Sequence, residues 1–203
     1  MSRGLTEALD GWDNIRSSEL YGVEAWGNGY FHITEDGYAA VKLQNEQGPV
    51  SVKFHDIVRG LYQRGFSLPV LLRFSDLLAA RIRAINEAFA KAIADSGYAG
   101  SYRGVYPIKV NQQHQTVADV VRLGAPFHHG LEAGSKAELI AALGYLHDPA
   151  AYIICNGYKD AEFIDLALFS LKMGLQTILV LEMPGELDLL LERAAKQNIR
   201  PRI

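Results

Sequence analysis

Cysteine is almost missing: Cys155 is the single one in 203 residues, so no intrachain disulfide can form and no thiolate cluster can hold a metal. That usage fits a reducing compartment, and a cytoplasmic protein is expected. Long apolar runs are missing too. No stretch reaches the ~18 uninterrupted apolar residues of a membrane span. Residues 1–14 mix Arg3, Glu7, Asp10 and Asp13 with their apolar neighbours and lack the core of a signal peptide. Charge of one sign is also in short supply: 20 Lys and Arg against 23 Asp and Glu leave a net −3. That is too weak a field to gather nucleic acid or anionic lipid, so neither is expected as a partner. What is present, 49% hydrophobic and 21% charged residues, is a globular composition with enough apolar matter for one core and a second small one. Small-molecule chemistry is the class of function left.

The first third of the chain is aromatic and turn-rich. Tyr21-Gly22-Val23, the run from Trp26 to Ile33 and Tyr38-Ala39-Ala40-Val41 predict short strands, with Asn28-Gly29 and Asp36-Gly37 as hairpin turns. Gly48-Pro49 punctuates the end of this region, and Ile57, Val58 and Leu61 predict a short helix over 55–64. We place a boundary near Phe66, giving a β-rich segment over 1–65 and a second domain over 66–203. The second domain opens with an apolar run at 68–74, read as a strand. Ser75 is its helix cap, and a helix over 76–95 has Leu77, Ala80, Ile82, Ile85, Ala88, Phe89 and Ala92 on one side, stopped by Ser96-Gly97. Strands over 104–110, 127–132, 151–156 and 176–182 then alternate with helices over 114–123, 136–145, 160–173 and 185–197. Such alternation predicts parallel βαβ units. Residues 199–203 read as the opening of another strand, so the alternation is expected to continue beyond this chain. A complete eight-unit barrel takes roughly 250 residues, so half a barrel fits. An open flavodoxin-like or Rossmann-like sheet is the alternative that strand pattern leaves open.

In both folds ligands bind where parallel strands end in loops. The residues at those ends are Lys109 with Asn111, Glu132 with Ser135, Asn156 with Tyr158, and Glu182. Lys109 interrupts the apolar run Tyr106-Pro107-Ile108-Lys109-Val110, and an ammonium buried there would lose its charge and become a nucleophile toward an aldehyde. Taken alone, a lysine that snorkels to solvent is the commoner outcome. Glu132, one strand over, could bias protonation beside that amine. Gly130 to Lys136 suggests a phosphate loop but fails the Walker spacing, and Ser135 with Glu138 reads better as a capping box. Asn156-Gly157 reads first as a turn. His128 and His129, adjacent on one strand, face opposite ways and suit neither a metal nor a relay, and Cys155 reads as a small buried hydrophobe.

The segment Val105-Tyr106-Pro107-Ile108-Lys109-Val110-Asn111-Gln112-Gln113 closely resembles the cofactor-lysine segment of biosynthetic arginine decarboxylases, members of the alanine-racemase-like, fold-type III pyridoxal-phosphate enzymes. The Tyr-x-x-Lys-x-Asn core is shared with ornithine and diaminopimelate decarboxylases and identifies only the group. Leu71-Leu72-Arg73-Phe74, Gly130 to Leu139, Ile153 to Asp160 and Tyr21 to Gly27 resemble the arginine enzymes more narrowly. The resemblance implies a partial (β/α)8 TIM-type barrel preceded by short β strands of a separate β domain. It implies pyridoxal 5'-phosphate in a Schiff base on Lys109, an acidic residue near it at Glu132, and conversion of L-arginine to agmatine and carbon dioxide for polyamine synthesis. It also implies a homodimer or homotetramer and, in many members, Mg2+. The family's phosphate-binding glycine loop, ring-nitrogen partner and substrate-recognition residues belong to later barrel units and a C-terminal β domain, and we find no counterpart before Ile203. A non-catalytic cofactor-binding or partner-binding relative is the alternative from another class. An open-sheet nucleotide binder would need a phosphate loop that this sequence does not supply.

Overall fold

A computed structural model describes residues 11–45 and 48–203. The reading of residues 1–10 therefore lies outside the described residues. Two compact units are distinguished, Met1–Leu77 and Leu78–Ile203.

The first unit carries two short helices, α1 (Asn14–Leu20) and α2 (Val23–Gly27), three strands, β1 (Phe31–Ile33), β2 (Ala39–Asn45) and β3 (Gly48–Lys53), and helix α3 (Phe54–Gln63). The strands pair antiparallel in the order β1-β2-β3. Strand structure was expected at Tyr21-Gly22-Val23 and over Trp26 to Ile33; helix occupies Val23–Gly27, and the strand is confined to Phe31–Ile33. Asp13 caps α1 by accepting from the Arg16 N–H at 2.8 Å, and the left-handed Gly22 (φ 59) separates the two helices. Asn28-Gly29 is not a hairpin turn either. Both residues are left-handed (φ 47 and 77) and stop α2, as an Asn-Gly pair does equally well. Asp36-Gly37 is the hairpin turn expected, with the Thr34 N–H donating to Tyr38 O at 2.8 Å. Gly48-Pro49 opens β3 rather than closing the region, tolerable because β3 is an outer strand and needs no N–H there. Val23, Ala40 and Val41 are buried, and Phe31 lies 5.4 Å from Trp26 and 5.9 Å from Phe54, centroid to centroid.

Residues 68–74 form no strand. An apolar run becomes one only where a ladder accepts it, Pro69 has no N–H to give, and no strand pairs with the segment among the described residues. Helix α4 (Ser75–Ser96) follows and ends, as expected, at Gly97 (φ 63). Its buried residues are Ile82 and Asn86, while Ile85 and Phe89 are exposed, contrary to the face expected. Alanines surround the helix, so apolar periodicity does not single out one side. Phe89 instead stacks on Tyr102 at 3.9 Å between ring centres.

The second unit then lays down β4 (Val105–Pro107), α5 (His114–Gly124), β5 (Gly130–Ala133), α6 (Lys136–Tyr145), β6 (Tyr152–Cys155), α7 (Ala161–Lys172), β7 (Gln176–Leu179) and α8 (Pro184–Gln197). The four strands are parallel in the order β4-β5-β6-β7, each beside its predecessor, as in a (β/α) barrel that grows by one unit at a time. The strands are shorter than expected because their flanks turn. Ile108–Val110 and Ala125–Phe127 are 3-10 turns, and His128 is left-handed (φ 53). Leu131, Ala133, Ile153, Cys155 and Leu179 face Leu139, Phe163, Ile164 and Leu168 in one core, each large side chain worth about 1.5–3 kcal/mol on burial. Glu132, Ile154 and Ile178 share a row on the opposite face of the sheet. At the far end the Leu179 N–H donates to Arg202 O at 2.9 Å, so residues 199–203 run alongside β7.

Candidate functional site

The carboxyl ends of β4, β5 and β6 bring three candidates together. Pro107 closes the β4 ladder opposite Glu132, since it has no N–H for a further rung, and the chain turns through Ile108–Val110. Ile108 turns into the core and Lys109 turns away from it. The Lys109 side chain is therefore 65% exposed, not buried in an apolar strand, and desolvation of its ammonium cannot be what prepares it. Its setting is geometric: Lys109 Nζ stands 3.8 Å from Oε1 of Glu132, whose side chain is only 5% exposed.

Glu132 is held from the next strand. Asn156, one residue beyond β6, donates from Nδ2 to Glu132 Oε1 at 2.9 Å, and its own N–H donates to Ala133 O at 2.9 Å. The other carboxylate oxygen, Oε2, is buried with no hydrogen-bond partner among the described residues. Leaving such an oxygen unpaired costs about 1–3 kcal/mol. Gly157 makes the turn that lets Asn156 reach back: its φ is 74, and a Cβ there would lie 2.4 Å from Gly134 O.

The other candidates have structural work. Asn111 folds back on itself, its Oδ1 accepting from the Gln113 N–H at 3.1 Å and its carbonyl from the Tyr106 hydroxyl at 3.1 Å. Ser135 caps α6 by accepting from the Glu138 N–H at 3.3 Å, and Glu138 accepts from the Gly134 N–H at 2.6 Å. Lys136 is spoken for by Asp160 at 2.8 Å and Glu162 at 2.7 Å, which push its pKa up to about 12, so Gly134-Ser135-Lys136 is a helix cap. Tyr158 is exposed and reaches none of the three. His128 pairs with Asp148 at 2.8 Å, and burial lowers the pKa of His129. Burial pushes Cys155 up to about 12, leaving it a neutral thiol. Among the described residues no group of three or more His, Cys, Asp or Glu could hold a metal ion. No helix among them is long and apolar enough to cross a membrane.

Sequence reasoning missed Lys159 and Glu186, both buried. Lys159 sits in a polar stretch that reads as solvated surface, and its partner is 27 residues away, so no local signal could have found it.

This arrangement, with strand-end lysine and buried carboxylate on a parallel β/α sheet, defines a class. The chain belongs to the pyridoxal-dependent decarboxylase family, whose pyridoxal binding domain matches residues 79–203. Within it, the chain is similar to enzymes called biosynthetic arginine decarboxylase. That of Gloeobacter violaceus is 47% identical over 195 residues, 96% of this chain and 30% of that protein. That of Nostoc is 44% identical over 94% of this chain and 28% of its own length. The crystal structure of biosynthetic arginine decarboxylase SpeA from Campylobacter jejuni superposes with a TM-score of 0.81 at 37% identity, covering 90% of this chain and 30% of that one. The chain thus spans about 30% of the length of the relatives it matches. The residues present fit a carbonyl cofactor. Lys109 offers an exposed amine, and Glu132 Oε2 is a buried acceptor for which the described residues supply no donor.

Proposed function

We propose that the protein carrying this chain decarboxylates L-arginine to agmatine and carbon dioxide, with pyridoxal 5'-phosphate held by Lys109. The observation that carries this reading is the meeting of Lys109, Glu132 and Asn156 at three adjacent strand ends, and the names of the relatives supply the substrate. When bound, the cofactor supplies an electron-withdrawing ring that accepts the electron pair left at the substrate's α-carbon as carbon dioxide departs. The chain's own residues do the rest. Lys109 would provide the amine that holds the cofactor. Glu132 places negative charge beside that nitrogen and favours its protonated form. Asn156 fixes which way the carboxylate faces.

Residues 1–65 are read as part of a separate β domain and 66–203 as the first half of the cofactor-binding barrel. The whole protein is read as a cytoplasmic homodimer or homotetramer serving polyamine synthesis. The resemblance also implies magnesium, and among the described residues no group of three or more His, Cys, Asp or Glu offers it a site. The test uses the full-length protein loaded with cofactor. Lys109→Ala should abolish the visible absorbance of the bound cofactor and the release of labelled carbon dioxide from carboxyl-labelled arginine. A mutant with unchanged absorbance would remove Lys109 from its role. Release chiefly from ornithine or diaminopimelate would overturn arginine as substrate.

A further inference from the structure

Lys159 lies among polar neighbours in sequence, yet its side chain is 0% exposed. Its ammonium donates to Gly157 O at 2.5 Å and stands 3.6 Å from Oε2 of Glu186, which is itself 6% exposed. Glu186 belongs to the first turn of α8. Its carboxylate accepts from the backbone N–H of Lys159 at 2.9 Å and from that of Glu182 at 2.8 Å. Burial opposes ionisation of Glu186, but these N–H donors and the Lys159 charge outweigh it and hold the carboxyl below its usual range. Glu182, in turn, accepts from the Gly157 N–H at 3.0 Å.

Both polar groups of the Gly157 backbone are thus gripped by side chains, its N–H by Glu182 and its carbonyl by Lys159. A buried ion pair is a poor way to stabilise a fold, because apolar side chains of equal volume often do as well. What it can supply is direction. Gly157 follows Asn156, whose amide holds Glu132, and on its other side Gly157 already abuts Gly134 O. The turn is fixed from two sides, and the residue it delivers is the one that aims the carboxylate at Lys109. Cys155, immediately before it, contributes no charge, its thiol being kept neutral by burial.

We propose that the buried pair Lys159 and Glu186, with the exposed Glu182, forms a clamp whose role is positioning: it sets the Asn156-Gly157 turn so that Asn156 holds Glu132 beside the cofactor-bearing nitrogen of Lys109. The proposal rests on the reading of Lys109 given above. A clamp that served stability alone would leave the electrostatics of the Lys109 nitrogen untouched when it is removed. One that positions Glu132 would not.

The experiment takes the full-length protein loaded with pyridoxal phosphate and follows the pH midpoint of its visible band, the thermal midpoint, and hydrogen exchange at the amides of residues 156–158. The variants are Lys159→Met with Glu186→Gln, which leaves no unpaired buried charge, Asn156→Ala, and the three changes together, with Glu132→Gln as reference. The double variant is expected to fold and bind cofactor, to exchange faster at these amides, and to lower the band's midpoint by about 0.5 or more, toward that of Glu132→Gln. Asn156→Ala should do the same, and the combination should go no further than either, because all act through one carboxylate. A double variant with the parent's midpoint, or an additive combination, overturns the proposal. If the double variant does not fold, Glu182→Ala decides: this residue is exposed, and a downward midpoint supports the clamp while an unmoved one sinks it. A visible band that survives Lys109→Ala instead defeats the functional reading itself, whatever the clamp variants show.

Discussion

Glu132 has one oxygen held by Asn156 and the other without a hydrogen-bond partner among the described residues, in a place from which water is largely excluded. Glu132→Gln keeps the shape and removes the charge, so in the full-length protein the cofactor band should lose its colour at a lower pH and kcat/KM for arginine should fall at least about 10-fold. An unchanged pH midpoint would assign Glu132 to packing alone. At this scale the sequence was informative about residue type and position, and left the environment open between a buried amine and one that snorkels to solvent. Lys109 and Glu132 were legible because a charged residue at the end of an apolar parallel strand is conspicuous. The exposure of Lys109 was the commoner outcome its strand-end position suggested, and Pro107 closing the ladder two residues earlier brings it about. Asn156 looked like turn chemistry, and it is a turn residue that also spends its amide on Glu132.

Among the elements, β5 is the one that tolerates least. Gly130 opens it so close to β6 that a Cβ would lie 2.0 Å from the Tyr152 carbonyl oxygen, which no side chain can share. Gly130→Ala must push two central strands apart, and we expect a loss of several degrees in thermal midpoint together with weaker cofactor binding, measurable by thermal denaturation and titration. Helices α7 and α8 are tied by Asp165, which accepts from Arg193 and from Gln197 Nε2 at 2.6 Å, and the Arg193 bond holds its carboxyl below the usual 3.8. With the folded value depressed, the unfolded chain takes up the proton first. The tie therefore contributes fully above about pH 4 and is lost as pH falls through the folded value. Asp165→Asn should lower stability at pH 7 by up to about 1 kcal/mol and flatten the acid limb of the stability profile. A variant with the parent's acid limb would rule that tie out. The βα alternation was readable because four apolar runs recur with amphipathic stretches between them. Tyr21-Gly22-Val23, Trp26-Gly27 and residues 68–74 were misread for one reason: strand propensity describes what a segment could pair, and none of them has a partner strand among the described residues.

At the scale of the molecule, the sheet's second face carries Glu132, Ile154 and Ile178, and Val110, Val180 and Met183 stand exposed at its carboxyl end. We expect the 203-residue polypeptide expressed by itself to associate or aggregate and to show little arginine decarboxylation. A monodisperse, active monomer by light scattering and carbon dioxide release would contradict this. The strand order has a consequence for synthesis as well. Each parallel strand lies beside the one made just before it, and Lys109, Glu132 and Asn156 are spaced roughly two dozen residues apart on consecutive units. At ribosomal rates of ~5–20 residues per second, each group leaves the ribosome a few seconds or less after the last. The nascent chain can therefore add units by accretion, closing only short loops, and the lysine, its carboxylate and the amide that aims it can be set in place while translation of later units continues.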